Sequence, residues 1–304
     1  MSATLQPDPS MIGGVPKAPF AFLPEPVKLF QTRARRFAFL AESSRLAPYL
    51  TFLGKLSSLQ ARLAATLPPA GPVVADAVRV AAAGAMPPID RARLAADPLL
   101  GETLTALCDG AREIDMPEPA RLALDAVSAA DEDDRLWLIG NILADAIPED
   151  SAAAHLFAGA AVQVHLARLV AATLDADTLV PVRTGVCPAC GGRPVTSSIT
   201  GTMGIENLRY ATCASCATRW NEVRIKCLCC GSTKGVSYRS VQTVDATVKA
   251  EVCSECNHWV KILHEVKNPT LDPVADDVGS LGLDLLMKDT GIVRGGVNIY
   301  LAGY

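Results

Sequence analysis

The sequence predicts an α+β fold: an all-α N-terminal domain, then two consecutive small β-units built on cysteines, then a C-terminal helix. Three observations predict it. Ala and Leu dominate the first half at helical spacing, nine of the ten cysteines fall between Cys187 and Cys256, and a helical pattern returns after Pro269. The chain has 304 residues, half of them hydrophobic, so it holds ample material for a buried core and is not a wholly disordered chain. Lys+Arg 28 against Asp+Glu 32 leaves a net charge of −4, the wrong sign for a generally basic nucleic-acid binder.

Residues 1–26 contain Pro7, Pro9, Gly13, Gly14, Pro16, Pro19, Pro24 and Pro26, and are expected to form a flexible arm. Residues 27–182 are expected to form the helical domain. Leu53, Leu56, Leu59, Leu63 and Leu67 make one apolar stripe, while Thr51, Lys55, Ser58 and Arg62 fall on the opposite face. Leu136, Ile139, Leu143 and Ile147 make a second stripe. The acidic run Asp131-Glu132-Asp133-Asp134 before it suits the positive end of a helix dipole. Pro68-Pro69, Pro87-Pro88 and Pro148 separate the helices.

Two stretches imitate membrane or export signals. Ala152 to Val170 is apolar, but His155, Gln163, His165 and Arg168 interrupt it, so no membrane span is expected. Arg35-Arg36-Phe37 imitates a twin-arginine signal, yet the polar Glu42-Ser43-Ser44-Arg45 after it reads as an amphipathic helix. No charged-then-apolar leader opens the sequence, which makes a cytoplasmic location the expectation.

At Pro181-Val182-Arg183-Thr184-Gly185 the composition changes to β-branched residues, glycines and cysteines, reading as short strands and tight turns up to Lys267. From 269 to 304 a helix and tail are expected. Asp272 serves as N-cap, Pro273 opens the helix, Val274, Val278, Leu281 and Leu285 form the stripe, and Gly291 is the stop.

The strongest signal is an internal repeat. Cys187-Pro188-Ala189-Cys190-Gly191 is followed after 22 residues by Cys213-Ala214-Ser215-Cys216. Cys227-Leu228-Cys229-Cys230-Gly231 is followed, again after 22 residues, by Cys253-Ser254-Glu255-Cys256. A turn carrying CxxC presents two sulfurs on one side, and two such turns complete a tetrahedral four-thiolate site. Gly191 and Gly231 suit turns that need positive φ. In a reducing compartment this pattern points to metal rather than to disulfides. The expected ligands are Cys187, Cys190, Cys213 and Cys216 in a first unit at 183–226, and Cys227, Cys230, Cys253 and Cys256 in a second at 227–268.

Both are read as rubredoxin-like (zinc-ribbon) units holding one ion each, and four thiolates suit zinc or a single iron equally. Thiol–disulfide catalysis through CxxC is a further reading, but its usual βαβ setting is missing. Cys229 is either a free neighbour or a competitor of Cys230, and the repeat favours Cys230. His258 and His264 are read as surface residues, and His155, His165 and Cys108 as ordinary ones. Residues 183–267 carry a formal +5, which two four-thiolate sites with divalent ions would reduce to about +1, a weak footprint for phosphates.

Cys187-Pro188-Ala189-Cys190-Gly191, then Leu208-Arg209-Tyr210 before Cys213, then Trp220 and Arg224 before Cys227, resemble the formate dehydrogenase accessory protein family, FdhE. Val274-Ala275-Asp276-Asp277 through Leu286 resembles that family's C-terminal helix. The sequence departs from the family pattern at Asn221, where His is expected, and at Ile299, where Pro is expected. The resemblance implies a cytoplasmic, non-enzymatic maturation factor for respiratory formate dehydrogenase that associates with its catalytic subunit. It also implies rubredoxin-like iron in the CxxC sites. The alternative reading is a rubredoxin-like electron-transfer or redox protein using the same sites. A homodimer is compatible with the sequence.

Overall fold

The computed structural model describes residues 18–71, 75–241 and 246–303. Helices α1 (Pro26–Ala41), α2 (Ala47–Thr66), α3 (Ala75–Ala83), α4 (Arg91–Leu94), α5 (Pro98–Ala111), α6 (Glu118–Ala129), α7 (Glu132–Leu143) and α8 (Ala152–Thr173) form the N-terminal part. On α2 the predicted stripe is the buried face: Leu53, Leu56, Leu59 and Leu63 are in the core, while Thr51, Lys55, Ser58 and Arg62 are exposed. The acidic run caps α7, with the Asp134 amide donating to Asp131 Oδ1 at 2.9 Å.

The centre of this bundle is α8, which is buried on nearly every side. By length and composition the segment Glu149–Thr173 could cross a membrane, yet 72 % of its apolar window is covered by the rest of the chain. Its polar residues are accommodated rather than exposed. Gln163 Oε1 accepts from Arg33 Nη1, Gln60 Nε2 and the Tyr300 hydroxyl, which fills the hydrogen-bonding capacity of a buried amide oxygen. His155 and His165 are also buried, and burial lowers both pKa values, which favours the neutral imidazole.

The cysteine-rich half forms strands β2 (Pro194–Ile199), β3 (Arg209–Cys213), β4 (Arg219–Glu222), β5 (Val236–Arg239), β6 (Val248–Cys253) and β7 (His258–His264). The first three and the last three are antiparallel meanders of the same design, each with its middle strand ending on a cysteine. They do not stand apart. β2 pairs in parallel with β7, Ser197 opposite Ile262, so the two meanders share one sheet.

That sheet also takes in β1 (Ala21–Phe22), beside β4, and β8 (Val293–Arg294), beside β7. Part of the expected arm is therefore fixed. The Tyr210 hydroxyl donates to Pro19 O at 2.7 Å and the Asn221 amide to Phe20 O at 2.8 Å. The prolines had hidden a two-residue strand, because so short an element has no periodicity to read. The rest of the expected arm, 1–17, lies outside the described residues.

The C-terminal helix starts two residues later than expected, at Ala275 with Val274 as its N-cap, although Asp272 Oδ1 still accepts from the amides of Val274 and Ala275. It is not one helix, however. α9 (Ala275–Gly279) breaks at Ser280 and α10 (Leu281–Lys288) restarts. The break resets the stripe, so Leu283 and Met287 are buried and Leu285, expected inside, is 52 % exposed.

Candidate metal centres

The turns at Cys187–Cys190 and Cys227–Cys230 close in the same way. The amide of Gly191 donates to Cys187 O, and that of Gly231 to Cys227 O, both at 2.9 Å. The residue after the second cysteine is left-handed in all four CxxC turns: Gly191 (φ 75), Ala217 (φ 61), Gly231 (φ 79) and Asn257 (φ 55). The glycines were legible in the sequence. Ala217 and Asn257 occupy the same position without glycine, and Ala217 carries a steric cost of about 1–2 kcal/mol for it.

The turns bring the eight predicted cysteines into two sets of four, and within each set all sulfurs lie within 4.8 Å of one another. In the first, Cys187 and Cys216 are 3.6 Å apart and Cys190 and Cys213 3.5 Å. In the second, Cys227 and Cys256 are 3.7 Å apart and Cys230 and Cys253 3.8 Å. A tetrahedron with sulfur about 2.3 Å from a central ion has edges of about 3.8 Å, so these separations fit one ion per set. They are far too long for disulfides, and all ten cysteines are free. Cys229 stands outside the second set, with its sulfur against the backbone of Gly295.

The chemistry of the donors agrees with a cation. Burial pushes the Cys187 and Cys216 thiols well up, so four thiolates at this place require a positive ion among them. Cys190 is the exception. Hydrogen bonds from Cys187, Cys213 and Cys216 pull it well down despite its burial, and the Arg91 guanidinium adds to them. The amides of Ser215 and Cys216 also donate to Cys213 Sγ, at 3.4 and 3.5 Å.

Residues of the helical part support the first set, and no local signal in the sequence marks them. Arg91 Nη1 lies 3.9 Å from Cys190 Sγ and 3.2 Å from Ser215 Oγ, while Nη2 binds Asp145 Oδ1 at 3.0 Å. Gln163 Nε2 donates to Ala214 O at 2.9 Å, inside the second turn. The partner of each lies about 50 to 125 residues away in sequence, beyond the reach of any spacing rule.

His258 is no ligand: its Nδ1 sits 2.6 Å from Cys256 O. His264, expected on the surface, is half-buried. A concavity of about 890 Å³ beside Phe52, Phe157 and Tyr300 includes no cysteine and no histidine in its lining.

A helical bundle continued into one sheet with two four-cysteine sets defines a class of ribbon protein with sites that could hold metal ions. Three family models match in succession: FdhE, N-terminal, over residues 18–184, FdhE, central domain, over 186–224, and FdhE, C-terminal domain, over 225–301. The chain belongs to the FdhE family, the formate dehydrogenase accessory proteins.

A "Protein FdhE homolog" of Rhizobium meliloti (strain 1021) is 56 % identical over 302 residues, covering 99 % of this chain and 98 % of that protein. One of Proteus mirabilis (strain HI4320) is 31 % identical over 96 % of this chain and 94 % of its own. The crystal structure of the FdhE protein from Pseudomonas aeruginosa matches with a TM-score of 0.83 at 30 % identity, covering 93 % of this chain and 99 % of that one.

Proposed function

We propose that this protein is a maturation factor for respiratory formate dehydrogenase, acting in the cytoplasm by binding the enzyme's catalytic subunit and having no turnover of its own. Cys187, Cys190, Cys213 and Cys216 hold one iron or zinc ion, and Cys227, Cys230, Cys253 and Cys256 hold another. The observation that carries this reading is full-length kinship with FdhE proteins combined with two complete four-thiolate sets. Units at 183–226 and 227–268 each contribute one set, and the ions stabilise turns that so small a β-unit could not hold by its own core.

Co-purification from a formate-grown anaerobic extract tests the reading, with wild type and Cys187→Ala/Cys190→Ala side by side. Recovery of the formate dehydrogenase catalytic subunit with wild type alone is the expected result. Its absence from both preparations would remove the central claim. A second reading, electron transfer, is favoured by one observation: Cys230 is exposed, giving an ion at the second set an edge to solvent. That reading requires iron, a visible ferric-thiolate absorbance and reversible bleaching, and a colourless zinc protein would eliminate it.

A further inference from the structure

The two sets repeat the same ligands at the same spacing but sit in different surroundings. Cys187, Cys190, Cys213 and Cys216 are at most 1 % exposed and belong to the main core, packed with residues of the helical bundle. Arg91 and Gln163 reach over from that bundle to close the first set from its far side. In the second set Cys227 and Cys253 are buried, but Cys256 is half-buried and Cys230 is exposed. Its strands rest on a small separate core of Ala250, Val252, Trp259, Leu283 and Met287.

We propose that the second set is the exchangeable one: its ion is open through Cys230 to an external thiolate or chelating ligand, while the ion of the first set is enclosed. The inference rests on the reading that both sets hold ions. The incoming ligand comes from outside the chain. Cys229, the spare thiol nearest the second set, has its sulfur lodged against Gly295 and outside the ligand cluster. The step is a ligand substitution. An external thiolate forms a bond to the ion, the bond to Cys230 Sγ breaks, and the released thiolate takes a proton from water; no electrons change hands. A chelator that repeats the step withdraws the ion and leaves four thiols. At the first set the same attack has no path until the packing between bundle and sheet opens.

The test uses the full chain reconstituted with zinc under anaerobic conditions and challenged with excess pyridylazoresorcinol, which changes colour on capturing zinc. Two phases of one zinc each are expected, the fast one at least about tenfold faster because ligand exchange follows access to the sulfur. Iodoacetamide added during the fast phase should alkylate Cys230 and Cys256 and spare Cys187, Cys190, Cys213 and Cys216, as read by peptide mass spectrometry. In Cys230→Ser the fast equivalent disappears and the slow one is unchanged. Release of both ions in one phase, or early alkylation of the first set, overturns the inference and leaves the ion-site reading standing. Uptake of fewer than two ions overturns both.

Discussion

Single residues carry consequences that their spacing did not announce. His264 ends β7 and was expected on the surface, yet it is half-buried and its Nε2 has no hydrogen-bond partner. Burial, with Lys249, Lys267 and Arg224 nearby, lowers its pKa from 6.5 to about 4. A histidine with a depressed folded pKa holds its proton more readily in the unfolded chain. Its contribution to stability is therefore full above pH 6.5 and is lost as the pH falls towards 4. His264→Gln removes that titration. The melting temperature of wild type should accordingly fall relative to the variant across this window and run parallel to it above pH 7, and parallel curves throughout would contradict the assignment. Arg91 teaches the same lesson at the first four-cysteine set. In sequence it is one arginine of the short Arg91-Ala92-Arg93 run, and only the fold brings it to Cys190.

At the scale of elements, local periodicity was a good guide where one face meets one neighbour. The α2 stripe and the α7 cap were both legible because their causes lie within a few residues of each other. The C-terminal stripe failed at Leu285 because the helix breaks at Ser280, where Lys261 Nζ from β7 donates to Asp277 O and Ser280 O. The central helix α8 offered no stripe to read, having no polar face. Its tolerance of the 3₁₀ turn Ile299–Leu301 depends on Gly159. A Cβ there would meet Ile299 Cδ1 at 2.8 Å and Ile142 Cδ1 at 3.0 Å. Alanine gains about 1 kcal/mol over glycine in a helix interior, but overpacking a core costs about 1–3 kcal/mol. Gly159→Ala should therefore be neutral to destabilising rather than stabilising in urea unfolding. Adding Ile299→Val, which deletes Cδ1 but leaves Ile299 Cγ2 and Ile142 Cδ1 at 3.0 Å, should recover part of the propensity gain. A plain stabilisation by Gly159→Ala alone would show that α8 has room the structure does not give it.

Across the whole molecule, the repeat was plain in sequence but the joining of its two halves was not, because the β2–β7 pairing depends on register between strands about 60 residues apart. The joint is made polar and buried at one point. Arg209 on β3 donates to Glu251 Oε1 on β6 at 2.8 Å, to Ser197 Oγ on β2, and to Lys226 O at 2.7 Å in the link between the units. Both members of the ion pair are almost fully buried, at 0 % and 3 % side-chain exposure. Replacing one partner leaves the other charge stranded, at a cost of about 3–5 kcal/mol, whereas replacing both with apolar groups is often close to neutral. Arg209→Met should lose about that much stability, and Arg209→Met/Glu251→Leu should recover most of it. The pH dependence separates a stranded charge from lost packing. Burial already raises the Glu251 carboxyl above 4.5, with Arg209 pulling it back, so without the arginine it rises further. The penalty is then present above that raised pKa and fades as the pH falls towards 4.5, where the carboxyl enters the folded state protonated. The deficit of Arg209→Met relative to wild type should therefore shrink on acidification. A deficit that is constant with pH would mean that shape, and not charge, joins the two ribbons.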